Sequence, residues 1–165
     1  MSNAKRTAAE LTVDPKLLPE ESGSPYPKPY DALVAGRHRT RLSPVLGLSS
    51  YGVNIVRIEP GGQSSARHWH SEQDEFVYIL EGEATLVTDE GETLLSSGMA
   101  AGFPAGNPNG HTLANRSDND VLALEVGDRP RIEDVTYPDI DMANAVRDGK
   151  PHFLRKDGSP FGGED

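Results

Sequence analysis

Short apolar runs that are rich in β-branched residues, each closed by turn residues, recur along the middle of this chain. Tyr51–Glu59 reads YGVNIVRIE and continues into Pro60-Gly61-Gly62, and Glu75–Leu80 reads EFVYIL and continues into Glu81-Gly82. Runs of this length that end at Gly, Pro or Asp are typical of β-strands. We therefore predict a strand at each of the two places.

Two further pairs of runs follow the same pattern. Ala84–Thr88 and Glu92–Leu95 flank Asp89-Glu90-Gly91, which is a hairpin turn signal. His111–Asn115 and Val121–Val126 lie on either side of a polar turn, and we predict that these two strands pair. Many short strands at regular spacing predict an all-β sandwich or barrel.

The length of the chain and its prolines predict the domain organisation. Its 165 residues fit a single domain. Prolines 15, 19, 25, 27 and 29 interrupt residues 1–29, which predicts an N-terminal arm with at most a helical turn at Ala8–Val13. The arm is either disordered or extended across a neighbouring subunit. Residues 30–148 form the predicted barrel, with one helical turn at Asp141–Val146, and residues 149–165 form a polar tail that frays at its end.

Composition counts against several classes of function. The net charge is −10 at pH 7, and binding to nucleic acids or anionic membranes depends on Lys and Arg, so we expect neither partner. The sequence holds no cysteine, which excludes disulfides, thiolate metal sites and cysteine nucleophiles and is compatible with the cytoplasm. Met1–Leu18 has no apolar core of a signal peptide, and no apolar run approaches the ~20 residues of a membrane helix. We therefore expect a cytoplasmic protein.

The segment His68-Trp69-His70 carries the strongest chemical signal. Side chains at positions i and i+2 of a strand point to the same face, so the two imidazoles lie side by side with Trp69 on the opposite face. Glu75 opens the next apolar strand, where an unpaired buried charge would be costly. Two imidazoles and a carboxylate are a ligand set for Fe, Mn, Zn and similar ions. The pattern therefore predicts a metal site, and a hydrogen-bonded polar cluster without a metal is the alternative.

The stretch from Gly62 to Gly82 resembles the first motif of the cupin family. That motif is Gly, five residues, His-x-His, four residues, Glu, six residues and Gly, and Gly62, His68, His70, Glu75 and Gly82 meet every spacing.

The second cupin motif is also present, with one departure. Gly98, Pro104, Gly106, His111 and Asn115 fill it, but four residues separate Gly106 from His111 where the family pattern has two. The resemblance covers residues 50–127 and is closest to a group of small, single-domain bacterial cupins.

The resemblance implies a fold, a site and a range of activities. The fold is a double-stranded β-helix, the jelly-roll barrel, and the site holds one divalent metal ion on His68, His70, Glu75 and His111. Iron is the expected native metal, and manganese, nickel and zinc are alternatives. Cupins with similar motifs include dioxygenases, isomerases, decarboxylases and lyases, and a dioxygenase, hence an oxidoreductase, is the leading prediction.

The other candidate side chains have structural interpretations. His38 lies between two arginines and His152 lies in the polar tail, so we predict that both are at the surface. Trp69 is assigned to packing or an interface. Five residues that could line a pocket are interpreted as structural: Tyr51, Tyr78, Arg57, Gln63 and Phe103. No catalytic acid or base is named.

Two classes of function follow from these observations. The first is a metal-dependent enzyme with a small-molecule substrate, and the second is a non-catalytic cupin that binds or senses a small molecule. A structural storage role is disfavoured, because packing does not require a complete ligand set. The apolar outer face of the strand at Phe76, Tyr78 and Leu80 predicts a homodimer.

Overall fold

The computed structural model describes residues 5–161, and nearly all of its regular structure is strand. The strands are β1 (Glu21–Ser22), β2 (Arg37–Arg41), β3 (Tyr51–Ile58), β4 (Trp69–His70), β5 (Glu75–Glu81), β6 (Glu83–Thr88), β7 (Gly91–Ser96), β8 (Ala100–Phe103), β9 (Thr112–Ala114), β10 (Val121–Asp128), β11 (Ile132–Thr136), β12 (Ala143–Arg147) and β13 (Lys150–Leu154). The helical pieces are 3-10 turns at Ala8–Leu11, Pro15–Leu17 and Tyr30–Val34 and the α-helix α1 at Ser43–Leu46. Within residues 5–161, no helix is long and apolar enough to cross a membrane.

The strands form antiparallel sheets that build a jelly-roll barrel. One sheet has the order β1-β2-β3-β10-β5-β8, a second has β13-β12-β11-β4, and a third has β7-β6-β9. Strands far apart in sequence are paired, since β3 pairs with β10 from Tyr51 opposite Asp128 to Ile58 opposite Val121. The predicted all-β barrel is confirmed.

Alternation along the strands separates the core from the outer surface. On β5, Val77 and Ile79 are buried while Phe76 and Tyr78 are exposed, as the alternation of the sequence predicts. The main core spans the first and third sheets and consists of Val56, Ile58, Val77, Ile79, Ala84, Leu95, Leu113, Val121 and Ala123. Each fully buried branched side chain of this kind contributes roughly 1.5–3 kcal/mol to folding.

The glycines that bound the first motif serve the fold in different ways. Gly82 has a φ of +80°, and a Cβ there would lie 2.6 Å from the carbonyl oxygen of Asp120. Gly62 does not have a positive φ, but a Cβ there would lie 3.0 Å from the carbonyl oxygen of Glu59. The turn therefore requires glycine at position 82, and close backbone packing requires it at position 62.

Parts of the predicted arm and tail belong to the sheets. β1 pairs with β2, and Tyr26 packs edge to face on Tyr137 and Phe153 with ring centroids 5.7 Å and 5.8 Å apart. β13 extends the second sheet by pairing with β12. The helical turn predicted within Ala8–Val13 is present at Ala8–Leu11. The predicted frayed end at residues 162–165 lies outside the described residues.

Two local predictions were wrong. Asp141–Val146 contains the start of strand β12 and no helical turn, because this segment pairs with β11 on one side and β13 on the other. The runs within His111–Asn115 and Val121–Val126 are both strands, but they do not pair with each other. β9 pairs with β6, whereas β10 lies between β3 and β5, because the turn between them passes from one sheet to the other.

Candidate metal centre

The backbone brings the four predicted ligand residues together at one end of the barrel. His68 and His111 face each other in an isolated bridge, in which each amide donates to the carbonyl of the other at 3.1 Å and 2.8 Å. His70 follows on β4, and Glu75 is the first residue of β5. The longer loop before His111 does not prevent its approach.

The side chains converge on one carboxylate oxygen. Glu75 Oε2 lies 2.9 Å from His111 Nε2, 3.4 Å from His70 Nε2 and 3.6 Å from His68 Nε2. The ligand atoms that His68, His70 and Glu75 offer all lie within 4.8 Å of one another, so these three residues form a triad that could hold a metal ion.

The outer nitrogens of two imidazoles are held in one orientation. His68 Nδ1 donates to the carbonyl of Ala66 at 3.0 Å, and His70 Nδ1 donates to Glu133 Oε1 at 2.9 Å. Metal-binding histidines typically donate their second N–H to a carbonyl or a carboxylate in this way. Both Nε2 atoms therefore face the site.

The atoms that face the site fit a cation. His70 Nε2 is buried and forms no hydrogen bond within the described residues. When His68 and His70 are neutral and carry their proton on Nδ1, each Nε2 atom presents a lone pair to the negatively charged oxygen of Glu75. A divalent cation among these atoms would satisfy both the lone pairs and the negative charge.

The charges of the site shift its pKa values in opposite directions. Burial would raise the pKa of Glu75, but the hydrogen bond with His111 and the nearby imidazoles of His68 and His70 hold that pKa well below its usual range. Burial would lower the pKa of His70, but its hydrogen bond to Glu133 and the nearby carboxylate of Glu75 raise it to about 9. Burial lowers the pKa of His111, and its bond to Glu75 opposes that effect. In the absence of a metal, protonated His70 would compensate the negative charge of Glu75.

Phe103 fixes the orientation of the His111 ring. The two rings are stacked with centroids 3.6 Å apart and an interplanar angle of 3°. Phe103 was assigned to structure, and this packing agrees with that role. The ring also lines the main cavity that adjoins the ligands.

The main cavity has a volume of about 760 Å³ and polar walls. Glu75, His68 and His111 line one side of it. Arg37, Arg39 and Arg41 also line the cavity, because alternate residues of β2 face the barrel interior. The sequence segment RHRTR carries this spacing of two, but the predicted site did not include the arginines.

Each of the three arginines has a different environment. Arg37 is buried and donates to the carbonyls of Ser64 and Gly23 at 2.9 Å and 3.3 Å. Arg39 pairs with Glu125 at 3.2 Å, and its Nε is buried with no hydrogen-bond partner within residues 5–161.

Arg41 is the most exposed of the three and pairs with Glu21 at 2.7 Å. Glu21 belongs to the N-terminal arm, so the arm contributes to the charge balance at the mouth of the cavity.

A second, smaller pocket also adjoins the ligands. It has a volume of about 180 Å³ and reaches His70 and His111, and Trp69, Leu86 and Phe103 form part of its wall. Trp69 is half-buried, in agreement with a packing role.

The remaining predicted residues lie outside the main cavity. His152 is exposed as predicted, but the prediction for His38 was wrong. Its side chain lies on the outer face of β2, opposite to the face that carries the arginines. There it is only 14% exposed, because it bonds to Ser22 and Glu59, both at 2.8 Å. Four of the residues that could line a pocket do not line the main cavity: Tyr51, Tyr78, Arg57 and Gln63.

Comparisons with known proteins agree with this fold. A family model described as a cupin domain matches residues 54–127. The crystal structure of a sugar phosphate isomerase of the cupin superfamily from Silicibacter pomeroyi is 45% identical over 92% of this chain and 96% of that chain, with a TM-score of 0.87.

Two more distant structures are also similar. A protein proposed to be a sugar phosphate isomerase, from Acidithiobacillus ferrooxidans, is 25% identical over 79% of this chain and 84% of that chain, with a TM-score of 0.68. The polyketide cyclase RemF from Streptomyces resistomycificus is 21% identical over 71% of this chain and 78% of that chain, with a TM-score of 0.56, and shares the fold. No curated protein sequence matches this chain.

Proposed function

The chain belongs to the cupin superfamily, and on that basis we propose that it is a metal-dependent isomerase of a small phosphorylated sugar. The observation that carries the proposal is the convergence of three imidazole Nε2 atoms on Glu75 at the wall of an arginine-lined cavity. The reaction class is taken from the Silicibacter pomeroyi protein, which is 45% identical over nearly the whole chain.

The proposed metal ligands are His68, His70, Glu75 and His111. A bound divalent ion would act as a Lewis acid that polarises a carbonyl and stabilises the negative charge that develops on its oxygen. Iron remains the proposed native metal, and manganese, nickel and zinc are alternatives with similar ligand preferences.

The arginines of β2 supply the proposed anion contacts. Arg39 and Arg41 keep guanidinium N–H groups that their partners Glu125 and Glu21 do not occupy. Arginine binds phosphate groups in a planar, two-pronged geometry, so this wall suits a phosphorylated substrate. A volume of about 760 Å³ is within the range of small-molecule sites.

The dioxygenase reaction remains the second candidate. The same ligand set would leave coordination positions for oxygen, and the small pocket of about 180 Å³ reaches His70 and His111. That pocket has room for a diatomic gas but is too small for a sugar phosphate together with its water.

One experiment distinguishes the candidates. Metal content is measured by plasma mass spectrometry for the native protein and for the His68→Ala/His70→Ala double variant. We expect about one metal ion per chain, lost in the variant. The loaded protein is then mixed with ribose 5-phosphate, glucose 6-phosphate or mannose 6-phosphate, and conversion to the ketose is followed by proton NMR.

Each outcome has a different meaning. Ketose formation that depends on the metal supports the isomerase. Oxygen consumption without ketose formation would replace it by the dioxygenase. Binding of a sugar phosphate without any turnover would favour a cupin that senses its ligand. Absence of metal after anaerobic reconstitution with Fe(II) or Zn(II) would contradict all metal-dependent proposals.

The division into arm, barrel and tail, a cytoplasmic location and a homodimer also remain proposals. The lack of cysteine supports the location, and the exposed Phe76 and Tyr78 support the dimer.

A further inference from the structure

We infer that Glu125 is the proton-transfer group of this site and that Arg39 is the residue that positions its carboxylate. The inference rests on the proposed isomerisation, since it names a residue that this reaction needs and that the metal ligands do not provide. Glu125 was not among the candidates from the sequence, where it lies in an apolar strand, VLALEVGD.

Strand register places Glu125 next to the ligand Glu75 on the inner face of one sheet. It is opposite Val77 on β5 and Asn54 on β3, and it follows the buried Val121 and Ala123 on the inner face of β10. The residue directly opposite Glu75 is Gly127, which has no side chain. Glu125 is therefore the diagonal neighbour of Glu75, at the ~7–8 Å of a diagonal pair.

This separation leaves space for a substrate between the two carboxylates. Glu75 and Glu125 both line the main cavity, as do His68 and His111. A sugar carbon held at the metal ligands would lie between the two side chains. General acid–base groups must come within about 2.6–3.2 Å of the atom whose proton they transfer, and a side chain one strand away from Glu75 can reach a substrate held at the ligands.

One carboxylate oxygen of Glu125 is held and the other is free for chemistry. Arg39 Nη2 donates to Oε2 at 3.2 Å, and within residues 5–161 no hydrogen bond involves Oε1. The side chain is 21% exposed, so the free oxygen has access to the cavity. Arg39 thus fixes the carboxylate through one oxygen and leaves the second to accept a proton.

The other acidic groups of the cavity are engaged or poorly suited. Glu133 accepts hydrogen bonds from His70 and from the amide of Gln73. Asp128, at the end of β10, alternates to the other face from Glu125 and Gly127 and accepts a hydrogen bond from the amide of Asp74 at 2.9 Å. Burial raises the pKa of both Tyr26 and Tyr137, which makes them poor bases near neutral pH. Glu125 is the carboxylate whose environment leaves it available.

The charges around Glu125 suit a base. Burial raises its pKa, Arg39 and Arg37 on β2 lower it, Glu75 on β5 raises it, and His68 lowers it. A carboxylate whose pKa is raised accepts a proton from carbon more readily than an ordinary surface glutamate does.

The proposed step is balanced without any oxidant or reductant. Glu125 Oε1 removes the proton from C2 of the open-chain aldose, and the electrons of the C–H bond form a C1–C2 double bond while charge moves to the carbonyl oxygen O1. The proton on the C2 hydroxyl passes to O1, the C2 carbonyl forms, and the protonated Glu125 returns its proton to C1. The aldose becomes the ketose, and Glu125 regains its charge.

The test compares Glu125→Gln and Glu125→Asp with the control Glu92→Gln. Glu92 forms an exposed pair with Arg116 and does not line the main cavity, so the control removes one paired carboxylate outside the cavity. Each metal-loaded variant is assayed for ketose formation and for exchange of the C2 proton with deuterated water. Binding of ribitol 5-phosphate, which lacks a carbonyl and cannot react, is measured by calorimetry, and melting curves report folding.

We expect Glu125→Gln to lower kcat and the exchange rate by ~10²–10⁴-fold, the range of general acid–base groups. Metal content, the Kd of ribitol 5-phosphate and the melting temperature are expected to match those of the control. Glu125→Asp keeps the charge but shortens the reach, so it is expected to lower kcat at least tenfold with the same binding. Wild-type activity in Glu125→Gln, or a loss of binding equal to the loss of kcat, would overturn the inference.

Arg39→Gln tests the positioning role through the pH profile of kcat. Because Arg39 lowers the pKa of Glu125, the acid limb of the profile is expected to move to higher pH in this variant. An unchanged limb would remove Arg39 from the inference. If the metal-loaded wild-type protein converts no sugar phosphate, the proposed function itself fails. If the wild-type protein is active and the Glu125 variants turn over normally, only the inference about Glu125 fails.

Discussion

The contact between His70 and Glu133 predicts how strongly the site holds its metal. Glu133 is 4% exposed, and its Oε1 accepts hydrogen bonds from His70 Nδ1 at 2.9 Å and from the Gln73 amide at 3.0 Å. Glu133→Gln keeps an oxygen at this position but loses its charge. Glu133→Ala loses both hydrogen bonds and leaves the Gln73 amide without its acceptor.

The magnitudes follow from these contacts. A hydrogen bond to a charged group contributes ~1.5–3 kcal/mol and a neutral one ~0.5–1.5 kcal/mol, so the loss of charge should cost about 1–1.5 kcal/mol, or ~10-fold in Kd. Loss of both bonds should approach the ~100-fold upper range for partners of metal-binding histidines. We therefore expect metal Kd to rise about tenfold in Glu133→Gln and up to about 100-fold in Glu133→Ala.

The assay is competition with a chromophoric chelator for Zn(II) at about pH 9. The pKa of His70 in the metal-free protein is about 9, so at neutral pH a proton competes with the metal for His70 Nε2. The hydrogen bond to Glu133 strengthens both the binding of that proton and the binding of the metal. Working near that pKa reduces this competition. Asp134→Asn is the matched control, because Asp134 is the next residue on β11, is 66% exposed and pairs with Arg147. A Kd within twofold of wild type in both Glu133 variants would refute the reasoning.

Three further predictions concern pH, stability and assembly. Because His70 must lose its proton to bind a metal, metal affinity should rise about tenfold per pH unit from about 6.5 up to about 9 and then level off, measured by the same competition assay. Asn115→Ala removes bonds of 2.8 Å to the carbonyls of Ile58 and Asn119 and should lower the free energy of unfolding by ~2–4 kcal/mol in urea titrations, whereas a loss below about 1 kcal/mol would contradict the assigned contacts. The exposed Phe76 and Tyr78 predict a dimer mass in light scattering at micromolar concentration, and a monomer mass would count against it.

The sequence predicted the features that depend on local spacing. The side-chain period of two placed His68 and His70 on one face and separated Val77 from Tyr78 correctly, because both relations hold within a single strand. The strand limits also agreed to within a few residues.

The hairpin of β6 and β7 was predicted from its turn residues, but features that depend on the pairing of distant strands were not. Glu133 lies 63 residues from His70 in sequence and meets it only because β4 pairs with β11. Glu125 faces the site only through the register of β10 with β5. His38 was misassigned because its surroundings on the outer face come from the arm and from Glu59, which the sequence neighbours Arg37 and Arg39 do not reveal.

The position of Trp69 gives the site a built-in optical reporter. The chain has a single tryptophan, and it lies between two of the proposed ligands in the short segment that includes β4. Its fluorescence therefore comes from one location, a few bonds from the metal position. Paramagnetic ions such as Fe(II) or Ni(II) should quench the emission while Zn(II) should not, so occupancy and metal type could be read in real time without a label.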